Sequence, residues 1–192
     1  MKRIIAVIGK TRGGKDTVAN YITANYGINA VCSYTTRPKR DYETDGVEHY
    51  FVSDERMKEI LETEHIIAYV KKPNGVQYGA SIECLNGDIV IYIIDPDGIK
   101  DLEKTTRGMD IDIIKLYIQC PEDLILERAL NTGVDLEVTK ERLKYERDEF
   151  DSYYNADLYD YCIENDDTLE LLKENVDIFM NKYFSEVKKL DC

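Results

Sequence analysis

The chain has 192 residues, of which 33% are charged and 43% hydrophobic, and its net charge is −13. That length holds one full core but not two large domains, and the composition is that of an ordinary globular protein. The acidic balance argues against a general binder of nucleic acid or of anionic membranes, and no apolar run approaches the length of a membrane span.

The N-terminus is basic for two residues and then enters an apolar run, so no signal peptide is expected and a cytoplasmic location is. Cys32, Cys84, Cys120, Cys162 and Cys192 are scattered, odd in number and without metal-ligand spacing, which reads as reduced thiols. The charge is uneven. Residues 1–40 carry eight Lys/Arg against one acid, a net of +7 that leaves −20 for the rest. Positive charge gathered in one segment suits a small polyanion bound locally.

In chain order, Ile4–Ile8 is a buried strand, and Gly9-Lys10-Thr11-Arg12-Gly13-Gly14-Lys15-Asp16 follows it. A helical pattern then runs from Gly14 to about Tyr26 and stops at Gly27, a natural C-cap. Strand, glycine-rich turn and helix are the context of a phosphate-binding loop. Its backbone N–H groups turn inward, the helix adds its positive end, and Lys15 adds a mobile charge for the β- and γ-phosphates. Asp16 stands where a Ser or Thr hydroxyl is usual. It reads either as a carboxylate ligand of Mg²⁺ or as an acid favoured by the helix dipole, and Thr17 supplies a hydroxyl next to it.

Ala30–Ser33 is expected as a second strand. Residues 34–81 then look like a small α+β insert, with strands near Glu48–Val52, Ile66–Val70 and Val76–Ala80 and a helix capped by Ser53. Asp88–Ile94 is a buried strand ending at Asp95-Pro96-Asp97-Gly98, which opens a helix. Asp112–Ile118 is a strand, and Pro121 starts a helix through Arg128 that breaks at 131–135. Helix resumes from Thr139 to Phe150, Tyr161–Ile163 is the last strand, and Thr168 to about Lys189 closes the chain with a stripe of Leu171, Leu172, Val176, Phe179 and Phe184. The alternation predicts a parallel sheet with helices on both faces.

A second cluster, Ser33-Tyr34-Thr35-Thr36-Arg37-Pro38-Lys39-Arg40, interleaves hydroxyls and arginines as a phosphate site would. Two anion sites in one small domain imply a donor and an acceptor phosphate.

Here the chain resembles the guanylate kinase family of nucleoside monophosphate kinases. The resemblance rests on Thr35-Thr36-Arg37, Arg40, Glu43, Gly46 and His49-Tyr50-Phe51, then on Tyr78-Gly79-Ala80-Ser81, Ile94-Asp95-Pro96-Asp97-Gly98 and Tyr159 to Asp166, in order along nearly the whole chain. It implies a P-loop NTPase three-layer α/β sandwich. The core would be 1–33 and 82–192, with a short helical lid at about 131–138 and a monophosphate-binding insert at 34–81. It implies ATP with Mg²⁺, a nucleoside monophosphate as the other partner, and a monomer or homodimer.

By the same resemblance, Ser33, Arg37, Arg40, His49, Tyr50, Tyr78 and Asp95 would form the acceptor site. Gly9 through Thr17 would hold ATP, and Asn165 would approach its base. Lys15, Arg128 and Arg142 would act on the transferring group, with Arg147 a weaker lid candidate. The plainer reading of Arg128, Arg142 and Arg147 is helix-surface pairing with Glu127, Glu141 and Glu146.

Two departures bear on specificity. The family's base-reading Glu and Ser correspond to Ala68 and Ala80, with Glu64 or Ser81 as possible substitutes. These departures keep open a kinase for another nucleotide or small phosphate. Two further alternatives are a simple NTPase switch and a non-catalytic peptide-binding module of guanylate-kinase type, though the retained Gly14-Lys15 speaks against the module.

Overall fold

The computed structural model describes residues 1–41 and 43–190. The first strand, β1 (Lys2–Ile8), lies at the centre of a five-stranded parallel sheet. Ile4 to Ile8 are fully buried on both faces, which is why this segment reads as a continuous apolar run rather than an alternating one. After it come α1 (Lys15–Tyr26), β2 (Asn29–Ala30), β3 (Ser33–Thr35), β4 (His49–Phe51), α2 (Asp54–Thr63), β5 (Ile66–Lys71), β6 (Gln77–Ser81), β7 (Ile89–Ile93) and α3 (Pro96–Thr105). The chain continues through β8 (Ile111–Gln119), α4 (Glu122–Asn131), α5 (Leu136–Asn155), β9 (Tyr161–Glu164) and α6 (Leu169–Tyr183). The large sheet has the order β2-β7-β1-β8-β9.

Strand alternation divides the core between the two faces of this sheet. Ile5 and Val7 pack with Val18 and Ile22 of α1 and with Leu172, Val176 and Phe179 of α6. Ile4, Ala6 and Ile8 pack with Ile99 and Leu102 of α3 and with Phe150 and Tyr153 of α5. Each such fully buried large side chain contributes about 1.5–3 kcal/mol, so the three layers are held chiefly by these two clusters. Both the helix-capping role of Gly27 and that of Ser53 agree with the sequence reading; Ser53 accepts from the Arg56 N–H.

Three expectations change. The strand expected over Ala30–Ser33 is two strands in two sheets: β2 pairs with β7, whereas Ser33 pairs with His49 in a second, four-stranded sheet of order β4-β3-β6-β5. The crossing at Val31 and Cys32 is too short to show in the composition. The helix expected from Thr139 extends from Leu136 to Asn155, because Asp135 caps it by accepting from the Glu137 N–H. The last helix ends at Tyr183 and not near Lys189. Phe184 leaves helical geometry to bury its ring completely, beneath the Arg3 guanidinium at 4.7 Å.

Of the cysteines, Cys32, Cys84, Cys120 and Cys162 are free thiols, and burial pushes Cys32 up to about 11 and Cys162 up to about 12; Cys192 lies outside the described residues. No described helix is long and apolar enough to cross a membrane.

Candidate active site

The loop between β1 and α1 forms as its glycines require. Gly14 sits at φ +103°, and a Cβ there would lie 2.3 Å from the Asn165 side-chain nitrogen. That nitrogen donates to the Gly13 carbonyl at 2.8 Å and so ties the end of β9 to the loop. Lys15 folds over the loop, and its Nζ donates to the carbonyls of Gly9 and Lys10 at 2.7 and 2.8 Å. Burial lowers its pKa, opposed by the nearby charges of Glu146 and Asp16. Arg12 takes a left-handed conformation, φ 55°, and donates to the Thr132 hydroxyl at 2.9 Å, joining the loop to the end of α4. Asp16 and Thr17 are exposed in the first turn of α1.

Lys10 differs from expectation. Its ammonium is buried against Glu122 at 2.8 Å and Asp151 at 2.7 Å. Burial works against its charge, but Asp151 and Glu122 outweigh that and raise its pKa. The Lys10 side chain therefore joins the loop to α4 and α5, while its carbonyl accepts from Lys15 and Gly13 within the loop.

The second cluster lies on one face of the small sheet. β3, β4 and β6 place Ser33, Thr35, His49, Phe51 and Tyr78 together: Ser33 is opposite His49, and Thr35 is opposite both Phe51 and Tyr78. Ser33 Oγ is 3.0 Å from His49 Nδ1, and the His49 ring meets Tyr78 edge-on at 6.0 Å. Burial, and then the Arg37 charge, lower the His49 pKa, so its imidazole is neutral at pH 7. Arg37 donates twice to Glu43, at 2.7 and 2.5 Å, and its guanidinium lies over the Phe51 ring at 5.1 Å. The Arg40 amide donates to the same Glu43 carboxylate at 2.9 Å. Arg37 first, and then the Arg40 amide, hold Glu43 down to about 2 despite its burial.

Tyr50 does not join this group. It is one residue from His49 on a strand, so it points to the other face, where its ring packs on Tyr34 at 5.4 Å. Phe51 takes the aromatic place beside Arg37. The Tyr34 hydroxyl donates to Glu64, on the α2 side of the sheet. Ser81 also lies on that side, since Ala80 shares the face of Tyr78 and its neighbour cannot. Glu64 and Ser81 therefore do not replace the groups missing at Ala68 and Ala80. Those two alanines are directly opposite each other on β5 and β6 and are 2% and 0% exposed, an apolar pair on the face of Tyr78.

Asp95 caps α3 by accepting from the Gly98 N–H at 2.7 Å, and its other oxygen meets Lys72 at 2.7 Å. It lies at the carboxyl end of β7, where open α/β sheets bind ligands. The arginines expected at a lid separate. Arg128 donates to Cys120 Sγ and to both oxygens of Asn165, and with Arg12, Gly14, Thr17, Asn165 and Leu172 it lines a cleft of about 330 Å³ beside the loop. Arg142 pairs with Glu146 at 2.8 Å rather than with Glu141, and Arg147 pairs with Glu122 at 2.6 Å rather than with Glu146, so the plainer reading holds in kind but not in its partners. Arg147, and then Lys10, hold Glu122 at about 2.

Nothing in the local pattern marked Lys72, Glu122 or Asp151, and Glu146 read as a helix-surface residue. Glu43 alone carried a signal, its place in the basic signature. Among the described residues no group of three or more His, Cys, Asp or Glu is gathered to hold a metal. A Mg²⁺ held by nucleotide phosphates needs only one or two protein oxygens, which the exposed Asp16 carboxylate and Thr17 hydroxyl fit.

A family model described as "Guanylate kinase" matches residues 1–183. A guanylate kinase from Rickettsia prowazekii (strain Madrid E) is 30% identical over 182 residues, covering 90% of this chain and 88% of the relative. One from Zymomonas mobilis subsp. mobilis (strain ATCC 31821 / ZM4 / CP4) is 33% identical over 180 residues, covering 89% of this chain and 80% of the relative. The crystal structure of guanylate kinase from Anaplasma phagocytophilum aligns with a TM-score of 0.66 at 20% identity, covering 98% of this chain and 90% of that one, which shows a shared fold.

Proposed function

The chain belongs to the guanylate kinase family, and from that premise we propose that it transfers the γ-phosphoryl group of ATP to the phosphate of GMP or dGMP. The observation that supports this reading is a pair of basic clusters of different build. One is a backbone loop with Lys15, and the other is an arginine pair held by one carboxylate, Glu43. A simple NTPase switch has no use for the second.

In this reading residues 34–81 are the acceptor-binding insert, 1–33 and 82–192 the core, and about 131–138 the lid. Phosphoryl transfer needs positioning and charge neutralisation more than covalent help. The loop amides and Lys15 hold the donor phosphates. Arg37 and Arg40 fix the acceptor phosphate, with Ser33, His49 and Tyr78 around it. An acceptor phosphate oxygen attacks the γ-phosphorus, the bond to the β–γ bridging oxygen breaks, and its electron pair leaves with ADP. Arg142 neutralises charge on the moving group. Asn165 and Arg128 flank the cleft for the ATP base. Asp16 or Thr17 would hold Mg²⁺, which would supply further neutralisation of the phosphates.

The buried Ala68–Ala80 pair supports a second reading, a kinase whose acceptor is another (deoxy)nucleotide or small phosphate. A site lacking groups that bond a polar base edge discriminates weakly. A coupled ADP-release assay with MgATP and GMP, dGMP, AMP, CMP, UMP or dTMP separates the two, with Lys15→Ala as control. Turnover with GMP or dGMP that falls at least about 10²-fold in the control upholds the first reading. Turnover confined to other acceptors upholds the second, and a folded protein that binds ATP yet phosphorylates none of them overturns the first.

A further inference from the structure

Glu146 sits on the phosphate loop. Its Oε2 accepts from the Thr11 backbone N–H at 2.6 Å, and its Oε1 accepts from Arg142 Nε at 2.8 Å. The side chain is 15% exposed, against 50% for Arg142. It comes from the second turn-pair of α5, 135 residues away along the chain, and its charge acts on Lys15. One carboxylate thus accepts from a loop amide and from a lid arginine together. That pattern is the one a nucleotide phosphate oxygen would adopt at a glycine-rich loop.

We propose that Glu146 is an intramolecular competitor of the donor's phosphates, displaced from the Thr11 amide when ATP binds and releasing Arg142 to the phosphoryl group as it leaves. The Thr11 N–H has a single hydrogen, so Glu146 and a phosphate oxygen cannot both take it in full. Two anions at that distance also repel each other. ATP binding therefore includes breaking the Glu146 contact, and the same event frees the Arg142 guanidinium. Donor affinity is lowered by this contact, and arginine delivery is tied to donor arrival. The inference rests on the kinase reading only in taking the loop to bind nucleotide phosphates.

The test is calorimetric titration of ATP and of adenosine into the full chain, into Glu146→Ala and into Glu146→Gln, with thermal melting as the check on folding. Alanine suits a helix, so α5 is expected to persist. Glu146→Ala should bind ATP about tenfold tighter or more (about 1.4 kcal/mol) with adenosine unchanged. Glu146→Gln keeps an acceptor for Thr11 without the charge and should fall between the two.

An ATP affinity equal to or weaker than that of the parent in folded Glu146→Ala overturns the proposal, and so does equal tightening for adenosine. No ATP binding in any of the three overturns the nucleotide reading together with it. Tighter ATP binding without phosphorylation of any monophosphate upholds the competition and removes the kinase reading instead.

Discussion

Arg37 and Glu43 face each other as a two-pronged pair, Nη1 to Oε2 at 2.7 Å and Nη2 to Oε1 at 2.5 Å, with side chains 12% and 4% exposed. The same carboxylate also accepts from the Arg40 amide. One acid therefore sets the position of both arginines assigned to the acceptor phosphate. Glu43→Gln leaves a buried guanidinium without its counter-charge. The expected cost is about 3 kcal/mol or more, read from denaturant midpoints. The KM for the acceptor should rise about tenfold while the KM for ATP stays put, and a variant that raises both equally would mean Glu43 acts on the whole fold.

Acid stability has a sign and a window. Glu43 and Glu122 both have carboxyls held down to about 2, by Arg37 and by Arg147 with Lys10 respectively. A depressed carboxyl pKa contributes stability that is present above the ordinary glutamate range and is lost as pH falls through it toward the folded value. At about 1.4 kcal/mol per pKa unit, Glu43 contributes on the order of 3 kcal/mol. Unfolding free energy should be level near neutrality and should fall from about pH 5 downward. Urea titrations at several acidic pH values on the parent and on Glu43→Gln check this. The variant should lose part of the acid slope, and an unchanged slope would count against the assignment.

Gly14→Ala tests the loop itself. A Cβ there meets the Asn165 side-chain nitrogen at 2.3 Å and the residue holds φ +103°, whereas Gly75, at φ +88°, has nothing within 4 Å. Gly75→Ala should cost only the backbone term of about 1–2 kcal/mol. Gly14→Ala should cost more, because Asn165 must also release the Gly13 carbonyl. It should weaken ATP binding at least about tenfold, an effect that Gly75→Ala lacks. Equal behaviour of the two variants in melting and in ATP titration would contradict the packing described.

Ala80→Ser probes the acceptor's base. Position 80 shares the face of Tyr78 and lies opposite Ala68, and Glu64 belongs to the other face with Tyr34. A hydroxyl added at position 80 should raise kcat/KM for GMP about tenfold relative to AMP, the size of one hydrogen bond gained. Glu64→Gln should leave that ratio unchanged. A shift in the ratio from Glu64→Gln instead would place the base on the α2 side of the sheet.

Much of this was legible in the residues because it is local. Ile4–Ile8 announced a strand buried on both faces, Ser53 and Thr168 announced helix starts, and the loop from Gly9 to Lys15 announced itself by spacing. The basic signature also brought Ser33, Arg37, Arg40 and His49 together as expected. The errors were of another kind. Tyr50 was grouped with His49, and Ser81 was offered in place of Ala80, but strand alternation puts both on the other face.

By itself, then, the sequence determined most of the elements, their order and the residue types of the loop and of the basic cluster, since periodicity, caps and glycine spacing act within a few residues along the chain. The tertiary structure alone decided which residues of each small strand share the face of Tyr78, and it alone brought Glu146 onto the Thr11 amide. Those outcomes depend on how distant elements pack, and a pattern read over one helical turn or one strand carries no record of a partner 135 residues away.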